Sequence, residues 1–208
     1  MPARPFVRRK LWRIAACAAA LTVSRSGWAQ SPRAVRIRAT IDGANASSIS
    51  LTTRSGQQLT VALASDTEIL AIVPFRLEDI KPGSFIGSAA MPQPDGTQRA
   101  LEVHVFPESM RGVGEGHGPF DLQPRSTMTN GTVSAVAGSA GRSLTVKYPD
   151  GQKTIVVTAD TPIVTYEPGS PALLVPGAHV IVMGTEAADG KLSASRISVG
   201  KDGLVPPM

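Results

Sequence analysis

Cysteine is almost missing from this chain: of 208 residues only Cys17 carries a thiol, and tryptophan is confined to Trp12 and Trp28. All three fall in the first 29 positions, which have the layout of a removable export leader. Beyond them no disulfide, zinc–thiolate site or cysteine nucleophile can be built. Aromatic residues make up 4% of the chain, and after position 29 they reduce to Phe75, Phe85, Phe106, Phe120, Tyr148 and Tyr166. That stock is too small for a row of base-stacking platforms. No apolar run approaches the roughly 20 residues a helix needs to cross a bilayer. An excess of positive charge is absent as well. The formal charge of +5 comes from six basic and no acidic residues in the leader, leaving fifteen basic and sixteen acidic residues beyond it. A net charge of −1 is no footprint for a phosphate backbone, and nucleic acid is excluded as a partner.

The leader has three parts: a basic head ending at Arg13, an apolar stretch from Ile14 to Val23, and small residues Gly27 and Ala29 around Trp28. Cleavage after Ala29 is expected, giving a periplasmic or secreted bacterial protein with no transmembrane segment in its mature part. Arg8-Arg9-Lys10-Leu11-Trp12 has the twin-arginine form, which suits export of a folded chain, although an ordinary basic head can contain two arginines. Cys17 lies near the start of the apolar stretch, the wrong place for an acylated cysteine.

The rest of the chain repeats itself. Asp66-Thr67, Pro82-Gly83 and Asp95-Gly96 recur 94 residues later as Asp160-Thr161, Pro176-Gly177 and Asp189-Gly190, and Gly56-Gln57 recurs 95 later as Gly151-Gln152. Signals in one order at one spacing argue for a duplicated unit. Each unit reads as strands. Val35, Ile37, Ala39 and Ile41 alternate with polar residues, and Leu59, Val61 and Leu63 continue the pattern past a turn at Ser55-Gly56. Leu144, Val146 and Tyr148, then Ile155 and Val157, repeat it around Asp150-Gly151. Further strands are expected at 68–73, 84–91 and 100–106, and at 162–166, 178–183 and 192–199, with one helical turn at 75–80. The fold class is all-β: two tandem small OB-like β-barrels after a cleaved signal peptide. The expected divisions are residues 1–29 for the signal, 30–107 for the first barrel, 108–127 for a Gly/Pro-rich connecting loop, and 128–208 for the second barrel and tail.

Three stretches carry a resemblance: Asp79 to Gly87 (DIKPGSFIG), Ala100 to Glu108 (ALEVHVFPE) with Gly114 to His117 (GEGH), and the tail Asp202 to Met208 (DGLVPPM). Through them the chain resembles a family of exported bacterial proteins built from tandem small β-barrels and catalogued as a domain of unknown function. The resemblance implies export and a β-barrel fold, and it supplies no catalytic residues. Similar proteins are sometimes labelled metal-transporter permeases, a label at odds with the lack of membrane-spanning runs.

The connecting loop is where chemistry is expected. With Leu101, Val103 and Val105 inward, Glu102 and His104 turn to the opposite face of their strand, and Glu115, His117 and Asp121 follow within reach of a folded-back loop. Two imidazoles and three carboxylates can hold a divalent metal, although their spacing is no recognised ligand motif. Phe106, Val113, Phe120 and Leu122 are apolar anchors that should fold the loop against the first barrel and bring His117 near Glu102 and His104. Arg196 and Ser198 stand where Glu102 and His104 would recur, so the site is single. No phosphate loop or serine-hydrolase elbow is present. Asn45-Ala46-Ser47 and Asn130-Gly131-Thr132 match the glycosylation pattern by chance in a bacterial chain. The functional expectation is a non-enzymatic periplasmic binding or accessory module for a small ligand, metal or envelope protein, with no cofactor. The alternative is a metal-binding protein or metal-dependent enzyme using the His/Glu cluster.

Overall fold

The computed structural model describes Met1, residues 31–139 and residues 142–208. The expected leader lies outside the described residues. Strands hold 56% of the described residues, and none of the helical segments reaches seven residues. No described helix is long and apolar enough to cross a membrane.

Thirteen strands run in chain order: β1 Arg33–Ala44, β2 Ser48–Thr53, β3 Gln58–Pro74, β4 Phe85–Pro92, β5 Gln98–Ala100, β6 Val103–Val105, β7 Gly116–Pro119, β8 Thr127–Ala137, β9 Ser143–Tyr148, β10 Gly151–Val156, β11 Ile163–Pro168, β12 His179–Glu186 and β13 Leu192–Gly200. Period-two burial drives the early ones. In β1, Ile37, Ala39 and Ile41 are buried, and in β2, Ile49 and Leu51 are fully buried, while their neighbours are wetter. Removing each of these isoleucine and leucine side chains from water stabilises the fold by about 1.5 to 3 kcal/mol. The tight turns at Gly56, Gly96 and Gly190 each place the glycine at positive φ, where other residues are strained. The expected helical turn is a single 3-10 turn at Leu77–Asp79. The strands expected at 59–63 and 68–73 are one long strand, β3, and the strand expected at 100–106 is broken into β5 and β6. At that break the Leu101 and Glu102 N–H groups both donate to the Ala89 carbonyl, at 2.8 and 3.3 Å, so one extra residue is inserted opposite β4.

The sheet closes on itself twice. In the first ring β1 pairs with β2, β2 with β3, β3 with β13, β13 with β12, and β12 returns to β1. In the second, β8 pairs with β9, β9 with β10, β10 with β5, β5 with β4, and β4 returns to β8. Both follow one plan, with a single parallel contact, β3 to β13 in the first ring and β10 to β5 in the second. Residues 30–107 and 128–208 both contribute strands to each ring. Each ring is built from three strands of one half and two of the other.

Each ring encloses its own apolar core. One contains Ile41, Ile49, Leu51, Val61, Val182 and Ile197, the other Ile86, Val103, Val133, Leu144, Val146 and Ile155. Between the rings β11 pairs with β3 and with β6. A third cluster forms there from Leu70, Ile72, Phe85, Phe106, Met110, Val164, Tyr166 and Ile181.

Candidate functional site

The face of β6 that carries His104 is covered by this third cluster. Glu102 is fully buried and His104 is 2% exposed. His104 sits edge-on to Phe106, with ring centroids 4.6 Å apart, and Phe106 stacks against Tyr166 at 5.9 Å. Burial pushes the Tyr166 hydroxyl far above its usual range, and the nearby Glu102 charge adds to the effect.

The buried carboxylate fixes the histidine. Glu102 Oε1 accepts the Ala89 N–H at 2.8 Å, and Oε2 accepts from His104 Nδ1 at 3.1 Å. The main chain is held too, since Ser88 Oγ donates to the Glu102 carbonyl at 2.7 Å. With the proton on Nδ1, the lone pair is on Nε2. No hydrogen bond engages Nε2 among the described residues, and the ring lines a cavity of about 270 Å³.

Gly87 and Asn130 complete the seat. Gly87 of β4 pairs with His104 on one side and Asn130 of β8 on the other. A Cβ on Gly87 would collide with His104 Nε2 and with Asn130 Oδ1, so both atoms close over the bare α-carbon. Asn130 Nδ2 donates to the Val113 carbonyl at 3.2 Å, which assigns the amide. Its Oδ1 is buried and has no partner among the described residues. An unpaired buried acceptor costs about 1 to 3 kcal/mol, and its residue lines the same cavity as His104.

The cavity is lined from both rings. Strands β6, β8 and β11 supply His104, Met128, Asn130 and Tyr166, Phe106 follows directly after β6, and β12 and β13 supply Ile181, Met183, Arg196 and Ser198. Ser198 and Arg196, which lie 94 residues beyond His104 and Glu102, thus line the same cavity. Arg196 at the rim is held by Glu68, with Nε 2.5 Å from the carboxylate. A larger depression of about 590 Å³ opens beside Leu77, Ile80, Val136 and Ile163. Neither buried, partnerless polar atom of the described residues, Arg38 Nε or Asn130 Oδ1, lines it.

The connecting segment is more ordered than a plain loop, with a 3-10 turn at Glu108–Met110 and β7 paired to β8. It folds against β1 as expected. Arg38 reaches Asp121 with two hydrogen bonds, 2.8 and 3.1 Å, Arg36 adds a third at 3.2 Å, and both guanidinium groups lie over the Phe120 ring. The Arg38 hydrogen bonds and the two cationic charges hold the Asp121 carboxyl at about 2, against partial burial acting the other way.

The five expected metal ligands are not assembled. Asp121 is engaged by the two arginines, Glu115 is exposed, and His117 bonds Thr129 Oγ1 at 2.8 Å on the other face of β8 from Asn130. Burial, helped by the Lys153 charge, lowers the His117 pKa. No cluster of three or more His, Cys, Asp or Glu suited to a metal occurs among the described residues. The alternation along β8 is the cause: His117 pairs with Thr129, one residue out of step with Asn130, so its side chain goes to the opposite side. Only Glu102 and His104 come together. Gly87 and Asn130 were not among the expected site residues, although an isolated glycine inside a strand signals close approach of a neighbour.

Residues 130–198 match the family described as Domain of unknown function (DUF5666). The matched segment runs from β8 to β13 and so takes in strands of both rings. No curated protein and no solved structure matches the chain.

Proposed function

We propose that this chain is an exported, non-enzymatic binding module made of two small OB-like barrels that have exchanged their last two strands, with one ligand seat between them. The shared strand plan of the rings and the 94-residue recurrence support the duplication, and the leader-like first 29 residues support a periplasmic location. The observation that carries the reading is the partnerless Asn130 Oδ1 beside the bare Nε2 of His104. These two groups are acceptors held at fixed positions by a cavity that mixes apolar side chains with Arg36, Arg196 and Ser198, and a few placed polar groups among apolar ones are the composition of a small-ligand pocket. A general acid or base would need a second group placed to exchange the proton, and Asn130 has none to exchange.

The test is native mass spectrometry of protein taken from a periplasmic extract, wild type beside Gly87→Val. A bound mass in the wild type that is lost in the variant supports the seat. Equal masses in both, bound or bare, overturn it.

The metal-binding alternative survives in reduced form, because a carboxylate that orients a histidine through Nδ1 is the usual support for a metal-ligating imidazole. It rests on Glu102 and His104 alone, without Glu115, His117 or Asp121.

A further inference from the structure

The chain has six methionines, and four of them, Met110, Met128, Met183 and Met208, line the cavity over His104. They come from four separate segments: the turn after β6, strand β8, strand β12 and the C-terminal tail. Plain packing does not explain this gathering, since the two ring cores are filled with isoleucine, leucine, valine and alanine. Thioethers are soft, polarisable ligands, and their unbranched side chains can turn a sulfur toward a guest. One of them, Met208 Sδ, already accepts the Tyr166 hydroxyl at 3.9 Å.

The imidazole adds a second kind of ligand. Its ring lines the same cavity, and Glu102 holds it through Nδ1 at 3.1 Å, leaving Nε2 without a hydrogen-bond partner among the described residues. The arginines at the rim do not oppose entry strongly, because Arg36 is paired with Asp121 and Arg196 with Glu68. Soft sulfur and imidazole ligands select monovalent copper, whereas magnesium, calcium and manganese prefer sets of oxygens.

We propose that the seat takes a soft monovalent cation, Cu(I), bound by His104 Nε2 together with methionine sulfurs. This inference rests on the binding-module reading and names the class of its ligand.

The test is an anaerobic titration of the full mature chain with Cu(I) against a coloured Cu(I) chelator. The expected result is removal of one equivalent from the chelator. Met128→Leu/Met183→Leu, a pair of swaps that keeps side-chain volume, should weaken binding at least tenfold. Glu102→Gln should weaken it about 10- to 100-fold, the usual effect of removing a partner that orients a ligand. X-ray absorption of the loaded protein should show sulfur scatterers around copper, a readout independent of variant folding. No transfer from the chelator, equal affinity for Zn(II), an unchanged constant in the methionine pair, or a copper shell of nitrogen and oxygen alone would each overturn the proposal. Failure here with a retained mass that depends on Gly87 would leave the pocket standing with an organic guest; loss of both would remove the pocket as well.

Discussion

Ile72 pairs with Tyr166 across the antiparallel contact of β3 and β11, and the two positions are 94 residues apart, the spacing of the repeat. The same ladder joins Leu70 to Pro168 and Val164 to Pro74, so it reads the same from either half. An approximate two-fold axis therefore passes through this pair, and Tyr166 lines a cavity to which both halves contribute.

Exchange of strands predicts how the chain unfolds. Neither ring closes without two strands from the other half, so the protein should melt in a single cooperative transition in calorimetry. A cut engineered within Gln123 to Arg125 should leave the two pieces associated under native conditions. Two separate transitions, or two pieces that part on a sizing column, would contradict the exchanged topology.

Strand periodicity and turn chemistry were legible in the sequence because they are local: Ile37, Ala39 and Ile41 alternate wherever β1 finds its partner. Partner choice was not legible. β13 meets β3 through Ile197 and Ile69, and β6 meets β11 through Val103 and Ile163, with the same kinds of side chain in each contact. Apolar pattern cannot say which half donates which strand. Glu102 and His104 were visible as a pair, whereas Asn130 looked like a chance glycosylation pattern because its meaning depends on Gly87, 43 residues away in sequence and adjacent in the sheet. His117 points away from Asn130 because of strand parity, which a loop of unknown conformation hides.

The contact of Asp121 with Arg36 and Arg38 should respond to acid. Its folded value of about 2 lies below the roughly 3.9 of an unfolded aspartate, so the unfolded chain takes up the proton first as pH falls. The contact's contribution is full above about pH 4 and is lost as pH drops toward 2. A chemical-shift titration of the Arg38 side-chain Nε–H should therefore have its midpoint near 2, and a midpoint near 4 would show that the pair does not form. At neutral pH, Asp121→Asn should speed trypsin cleavage after Arg125.

The tautomer of His104 gives a second check on the site. In the wild type Nδ1 carries the proton toward Glu102, and long-range nitrogen–proton NMR should show Nε2 unprotonated. In Glu102→Gln the amide oxygen keeps the Ala89 N–H, and the amide nitrogen then faces His104 with a donor. The proton should move to Nε2. An unchanged pattern would mean that Glu102 does not orient the ring.

The last prediction concerns size matching across one ladder. Gly87 faces His104 in β4 and β6, and the corresponding pair 94 residues later is Ile181 facing Ser198 in β12 and β13. In one repeat a bare α-carbon lies under a large ring; in the other a large side chain stands beside a small one. Gly87→Ala should drive the new methyl into His104 and Asn130 and cost about 1 to 3 kcal/mol, the range for overpacked interiors. His104→Ser alone should also destabilise, since it leaves Glu102 without its ring partner and opens a void beside Phe106. The two changes touch, so they should not add. In the double variant the serine leaves room for the methyl, and its stability in urea should exceed that expected from the sum of the single losses by about 1 kcal/mol or more. Simple additivity would show that the glycine is there for some reason other than to receive the histidine.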